Sequence, residues 1–225
     1  MTEGVRQKHR AEQIVLIKST ARSLLSRHGV SGLSLREVAR EMGQTSSALY
    51  RYFPTRDDLL TALILDAYND LGTAVERADA RVDRAATRQR FLATGRAIRR
   101  WALRHPHEYA LIFGTPVPGY VAPEQTIEAA VRVTRVLGSI VAESKISVGD
   151  IALAPSWRSM LWWESVESVM GPASPDVVVK SLRAWAEIFG CISFELFGHF
   201  VGSVRQDDRF FDTVLEQLAD SFDLP

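Results

Sequence analysis

The chain has 225 residues, enough for a small and a medium-sized domain each with its own core, and its 46% hydrophobic and 24% charged content is that of a globular protein. No apolar run reaches the roughly eighteen residues that span a bilayer, and residues 1–10 are polar with no apolar stretch behind them, so membrane and secretory classes are excluded and the expected address is the cytoplasm. The net charge is zero, yet residues 1–56 carry ten Lys or Arg against four Glu, which leaves an acidic remainder; a basic module on an acidic body is the charge layout of a DNA-binding head.

Nearly every segment repeats its apolar residues with the helical period, and no run alternates like a half-buried strand, so the chain is expected to be all-α. Residues 1–9 read as a flexible basic arm. The first helix is predicted over 10–28, with Ile14, Ile17, Ala21, Leu24 and Leu25 on one face and Gly29 as its stop. Ser34 and Glu37 then form a Ser-x-x-Glu capping box that starts a short helix to about Met42. Gly43 breaks that helix, a third covers 45–52, and Pro54 ends it. Thr55 caps a long fourth helix, to about Ala80, with Asp57 and Asp58 favourably placed in its first turn. Further helices are predicted over roughly 85–104, 106–113, 123–145, 156–169, 176–203 and 207–221, interrupted most clearly at 114–120 and 171–175, where glycine and proline cluster.

A helix-turn-helix needs a small residue where its helices touch, a glycine in the turn and an apolar residue locking the second helix inward; Ala39, Gly43 and Leu49 stand at that spacing. The surrounding stretch, from Leu33-Ser-Leu-Arg-Glu-Val-Ala-Arg-Glu-Met-Gly-Gln through Tyr50-Arg-Tyr-Phe-Pro-Thr-Arg-Asp-Asp-Leu-Leu60, closely resembles the N-terminal signature of the TetR family of repressors. The likeness covers residues 10–70, with the helix-turn-helix at about 33–52. It implies a three-helix DNA-binding domain joined through the long fourth helix to a larger helical domain, 71–225, for effector binding and dimerisation. Gln44, Thr45, Ser46, Ser47, Tyr50 and Tyr52 would then face the major groove, where hydroxyls and an amide suit base edges and phosphates. Ser34 and the helix start behind it suit a phosphate, Arg36 a guanine or a phosphate, and Arg56 matches the family's phosphate-clamping base. Tyr50 and Tyr52 lie two apart and cannot both face one way on a helix, so aromatic packing competes with DNA contact.

In the second half, the tract His105 to Tyr120 together with Trp185-Ala-Glu-Ile-Phe-Gly190 resembles the WHG type of TetR C-terminal domain, with Phe189 in place of the histidine that names it. Trp101, Tyr109, Phe113, Trp157, Met160, Trp162, Trp185 and Phe189 are candidates to line an effector pocket, although core packing accounts for any one of them equally well. Leu182, Trp185, Phe189, Ile192, Leu196, Phe200, Phe211 and Leu215 form an oversized apolar surface on the last two helices, expected to be buried in a homodimer or in an internal core. Gly190 and Gly198 are candidates for close helix approach, and Gly72 for a flexible point in the fourth helix. Nine arginines against two acids between Arg77 and Arg104 read as a helix face laced with ion pairs, or else as attraction for an acidic-headed effector.

The lone Cys191, among apolar neighbours, excludes an internal disulfide and a cysteine-based zinc site and reads as core. His105, His107 and Glu108 are the only cluster with enzymatic colour, but His-x-His on a helix start does not put two rings on one face. No catalytic residue, metal or cofactor is expected. The expected partners are a double-stranded operator, a small apolar or acidic-headed effector and a second copy of the chain; a DNA-binding architectural protein without an effector is the alternative.

Overall fold

The computed structural model describes residues 3–144, 157–171, 174–205 and 208–225, and among these every regular element is a helix. In chain order they are α1 (Glu3–His28), α2 (Leu35–Glu41), α3 (Ser46–Leu49), α4 (Arg56–Asp79), α5 (Thr87–Arg104), α6 (Pro106–Phe113), α7 (Ile127–Ala130), α8 (Arg132–Glu143), α9 (Trp157–Met160), α10 (Trp163–Met170), α11 (Pro175–Leu196) and α12 (Asp208–Ser221). They form two compact units, residues 1–68 with 105–127 and residues 69–104 with 128–225, so the division falls inside α4.

The first unit is a small core wrapped by α1 to α4. Ile17, Ala21 and Leu24 of α1 meet Leu35, Val38 and Ala39 of α2, Leu49 of α3 and Leu59, Leu60 and Leu63 of α4, all but fully buried. The helix ends follow their chemistry. Ser34 Oγ accepts the Glu37 amide at 3.1 Å, while the Glu37 carboxylate pairs with Arg40. Thr55 and Asp58 make a reciprocal cap: Thr55 Oγ1 accepts the Asp58 amide at 3.1 Å and Asp58 Oδ2 accepts the Thr55 amide at 2.9 Å. Gly43 takes φ +64°, which lets the Gln44 amide reach back to the Ala39 carbonyl at 2.9 Å and closes α2.

Several boundaries differ from the sequence expectation. The 1–9 arm is helical from Glu3, continuing α1 toward the N-terminus. Regular helix in α3 is only Ser46–Leu49, prolonged by turns through Tyr52, because two serines and the approach to Pro54 give little helical preference. The 123–145 helix is interrupted at Val131, and 156–169 at Leu161 and Trp162. The 176–203 helix stops at Leu196: Gly198 at φ +79° forms a terminating turn in which the His199 amide bonds the Phe194 carbonyl at 2.8 Å, so this glycine ends α11 and does not serve close helix approach. Residues 105–127, expected in the body, belong to the first unit, since Leu111, Ile112, Val117 and Tyr120 pack on its core.

The second unit is held by buried apolar side chains and by ion pairs. Phe91, Ile98, Ile188, Ile192, Phe211 and Leu215 are buried among α5, α11 and α12. Arg90, fully buried, forks onto Asp79 at 2.7 and 3.1 Å and reaches Glu143 at 2.7 Å. Arg99 forks onto Glu195 at 2.7 Å through two nitrogens, and Arg88 and Arg96 pair with acids of α12. The arginine-rich α5 is therefore engaged with neighbouring helices, which meets the ion-pair reading of that run. Among the described residues no helix is long and apolar enough to cross a membrane.

Candidate nucleic-acid interface

In the first unit, α2, the turn at Gly43 and α3 bring one polar face to the surface. Val38, Ala39 and Leu49 point into the core, which turns Arg36, Thr45, Ser47 and Tyr50 outward as exposed residues, with Gln44 and Ser46 half-buried. Thr45 and Ser47 share a hydroxyl hydrogen bond of 3.1 Å. The two tyrosines separate as their spacing requires: Tyr50 is 45% exposed, whereas Tyr52 packs against the core with the Arg10 guanidinium 5.3 Å from its ring centre.

Arg56 is bonded to the protein's own backbone. Its Nε donates to the Leu33 carbonyl at 2.9 Å and its Nη2 to the Val30 carbonyl at 3.1 Å, with Nη1 3.5 Å from Asp57. These bonds brace the turn before α2, where the Val30 carbonyl also accepts the Leu33 amide at 3.1 Å.

One wall of this surface comes from α1, where the sequence suggests only non-specific attraction to DNA by Arg6-Gln7-Lys8, joined by Arg51 across the groove. A groove of about 500 Å³ runs between the N-terminal turns of α1 and the α3 segment, lined by Arg6, His9, Arg10 and Gln13 on one side and by Gln44, Ala48, Arg51 and Tyr52 on the other. Arg10 also donates to the Arg51 carbonyl at 3.4 Å. The signal was present: the α1 stripe that is apolar at Ile17, Ala21 and Leu24 continues at the same spacing as Gln13, Arg10 and Arg6.

The proposed pocket residues are not gathered in one place. Tyr109 is fully buried in the first unit, where Phe113 lies 5.1 Å from it and 6.1 Å from Tyr68. Trp101 is buried in the second unit and its indole donates to Asp70 Oδ2 at 2.8 Å. Met160 and Trp162 are exposed, Trp162 at 87%, at the break between α9 and α10. The side chain of Trp157 lies outside the described residues. Trp185 packs edge-on against Phe189 at 5.9 Å and borders a crevice with Thr134, Leu137, Gly138, Met170, Ser181 and Leu182. At about 20 Å³ the crevice has room for one water, not for a drug-sized ligand, without movement of α8, α10 or α11.

The expected dimer surface also divides. Phe189, Ile192, Phe211 and Leu215 are buried within the second unit itself, meeting the internal-core alternative, because α12 packs on α5 and α11. Leu182, Leu196 and Phe200 are half-buried, and Trp185 remains 38% exposed. Phe194, Phe197 and Val201 add to the outward apolar surface beyond the residues expected there, since Phe194 and Phe197 lie off the main apolar stripe of α11, and Phe210 is exposed as well.

Comparison with known proteins gives this geometry its context. Residues 17–63 match the family described as bacterial regulatory proteins, tetR family, and residues 91–218 match the tetracyclin repressor-like C-terminal domain. The HTH-type transcriptional regulator Rv1816 of Mycobacterium tuberculosis is 39% identical over 210 residues, covering 91% of this chain and 89% of that protein. The crystal structure of the regulatory protein SCO4313 is 31% identical, covers 95% of this chain and 98% of its own, and superposes with a TM-score of 0.78. The TetR family regulator PfmR of Thermus thermophilus, at 17% identity, a TM-score of 0.57 and coverage of 92% and 96%, shares the fold. These relatives are transcriptional regulators and not enzymes, and the chain belongs to the TetR family of DNA-binding bacterial regulators.

Proposed function

We propose that the protein is a cytoplasmic, dimeric repressor that holds a palindromic operator through Ser34, Arg36, Gln44, Thr45, Ser46, Ser47 and Tyr50, with Tyr52 supporting this face from its core side, and is released when a small molecule binds its second unit. The observation that carries the DNA-binding part is the outward polar face of α2 and α3 over a fully buried inner face. Ser34 keeps its O–H available for a phosphate while its oxygen caps α2. Arg56 contributes by fixing the turn on which Ser34 and Arg36 stand. A two-fold dimer through the exposed apolar side chains of α11 and the segment after it matches the symmetry of a palindrome.

Release needs a ligand with different affinity for the DNA-competent and incompetent states. Helix α8 has the attachments for this. It borders the crevice with Thr134, Leu137 and Gly138, and it is tied at both ends to α4: Arg132 bonds Asn69, Thr73 and Glu76, while Glu143 joins Asp79 through Arg84 and Arg90. A ligand parting α8 from α10 and α11 therefore strains α4, the helix that continues into the first unit. The lining favours a mainly apolar effector with one hydrogen-bonding group, and the paired arginines of α5 weigh against an acidic head. The WHG likeness belongs to this reading, with the buried Phe189 against Trp185 supplying an apolar contact where the histidine would stand.

The test is operator binding by the full chain with and without candidate effectors. Tyr50→Ala and Arg36→Ala are expected to weaken binding with an unchanged helical spectrum, and Arg36→Ala to lower the salt slope by roughly one phosphate per subunit. A releasing compound is expected to change tryptophan emission, with the change lost in Trp185→Phe. Unchanged operator affinity in both variants contradicts the DNA face; release with unaltered Trp185 emission moves the effector site elsewhere.

A further inference from the structure

The groove beside α3 is lined by basic side chains where it approaches the reading face. Three arginines and a histidine line it, and no acid does. Arg6 stands in the first turn of α1, where a cation opposes the helix dipole, so its placement does not serve α1 itself. Within the groove, Gln44 Nε2 donates to Gln13 Oε1 at 3.4 Å. A free glutamine amide rotates and also flips end for end; this bond ties one of its N–H groups and leaves its oxygen and second N–H unused. Those two remaining groups are the pair that adenine's N6 and N7 require for bidentate recognition.

We propose that the N-terminal turns of α1 complete the DNA reader: Gln13 orients the Gln44 amide for an adenine edge, and Arg6 and Arg51, lining the same groove, hold neighbouring phosphates. Gln13 is a positioning residue and touches no base. The Arg10 contacts to the Tyr52 ring and the Arg51 carbonyl link the two walls of the groove. This rests on the DNA-reading assignment of Gln44 made above and adds to it how that side chain becomes selective.

The experiment measures base preference at each operator position, and the salt slope, for the full-length wild type, Gln13→Ala, Gln13→Glu, Gln44→Ala, the Gln13→Ala/Gln44→Ala double variant and Arg6→Ala. Gln44→Ala is expected to lower the preference for adenine at one base pair per half-site by roughly five- to 150-fold. Gln13→Ala is expected to lower it at the same base pair, and the double variant no further. Gln13→Glu keeps the acceptor and is expected to keep the preference while weakening overall affinity, since its charge faces phosphates. Arg6→Ala is expected to reduce the salt slope by about one per subunit without altering base preference. Wild-type preference in Gln13→Ala alongside a loss in Gln44→Ala overturns the proposal and leaves the DNA face intact. Preference lost evenly at all positions in Gln13→Ala also overturns it, because that is the mark of general helix packing. Wild-type preference in Gln44→Ala removes the underlying assignment and the proposal with it.

Discussion

A guanidinium is defined by what its fork meets, and Arg56 meets two carbonyls of the turn before α2. Arg56→Ala leaves both without these donors and is expected to lower unfolding free energy by roughly 1–2 kcal/mol, the lower end for charged hydrogen bonds because the site is partly exposed. Arg56→Lys is expected to recover little, since an ammonium does not reproduce the fork. Thermal unfolding checks this; unchanged stability with a reduced salt slope on operator DNA returns Arg56 to the phosphate role expected from sequence. Cys191 is half-buried, and burial pushes its thiol up to about 11, with the Glu195 charge adding to the rise and Arg99 opposing it. The thiolate is the reactive form, so alkylation of the native protein is expected to be slow at neutral pH and to climb about tenfold per pH unit toward pH 11. Rapid alkylation near pH 8 contradicts that environment.

At the scale of elements, Gly72 shows how spacing and structure diverge. A glycine in mid-helix reads as a flexible point, but a Cβ there would lie 2.8 Å from Arg132 Nε and 3.1 Å from its Cβ. The glycine is the seat on which Arg132 lies while it bonds Asn69, Thr73 and Glu76, and that hydrogen bonding holds the Glu76 carboxyl below its usual range. Gly72→Ala gains helix preference worth about 1 kcal/mol. In the wild type that gain is expected to be cancelled or reversed by displacement of Arg132, and in an Arg132→Ala background, where only the 3.1 Å approach to the Cβ remains, to be larger. Equal effects in both backgrounds, read from denaturant unfolding, contradict the seat. The sequence signals that carried over are local ones: the Ser34 cap, the left-handed Gly43, the inward Leu49 and the Thr55 cap each depend on neighbours within a turn or two. What stayed illegible depends on distant segments. Nothing near Tyr109 tells that α6 joins the first core, and nothing near Ile192 tells that α12 covers it. Gln13 was hidden because its partner is 31 residues away.

For the whole molecule, the apolar surface of the last helices divides in two. Ile192, Phe211 and Leu215 close the second unit, while Phe194, Phe197 and Val201 face outward. Phe194→Glu combined with Val201→Glu is expected to give a folded monomer, whereas Ile192→Glu buries an unpaired charge and is expected to unfold the chain. Sedimentation and circular dichroism separate the outcomes, and a stable dimer of the double variant places the interface elsewhere. The central claim, a symmetric regulator reading DNA with α2, α3 and the start of α1, is tested most directly by selecting bound duplexes from a random library with the full-length protein. The account predicts an enriched inverted repeat, half-sites centred about one or more helical turns apart, bound by an even number of protomers; enrichment of no sequence, or of an unrepeated one, would contradict it.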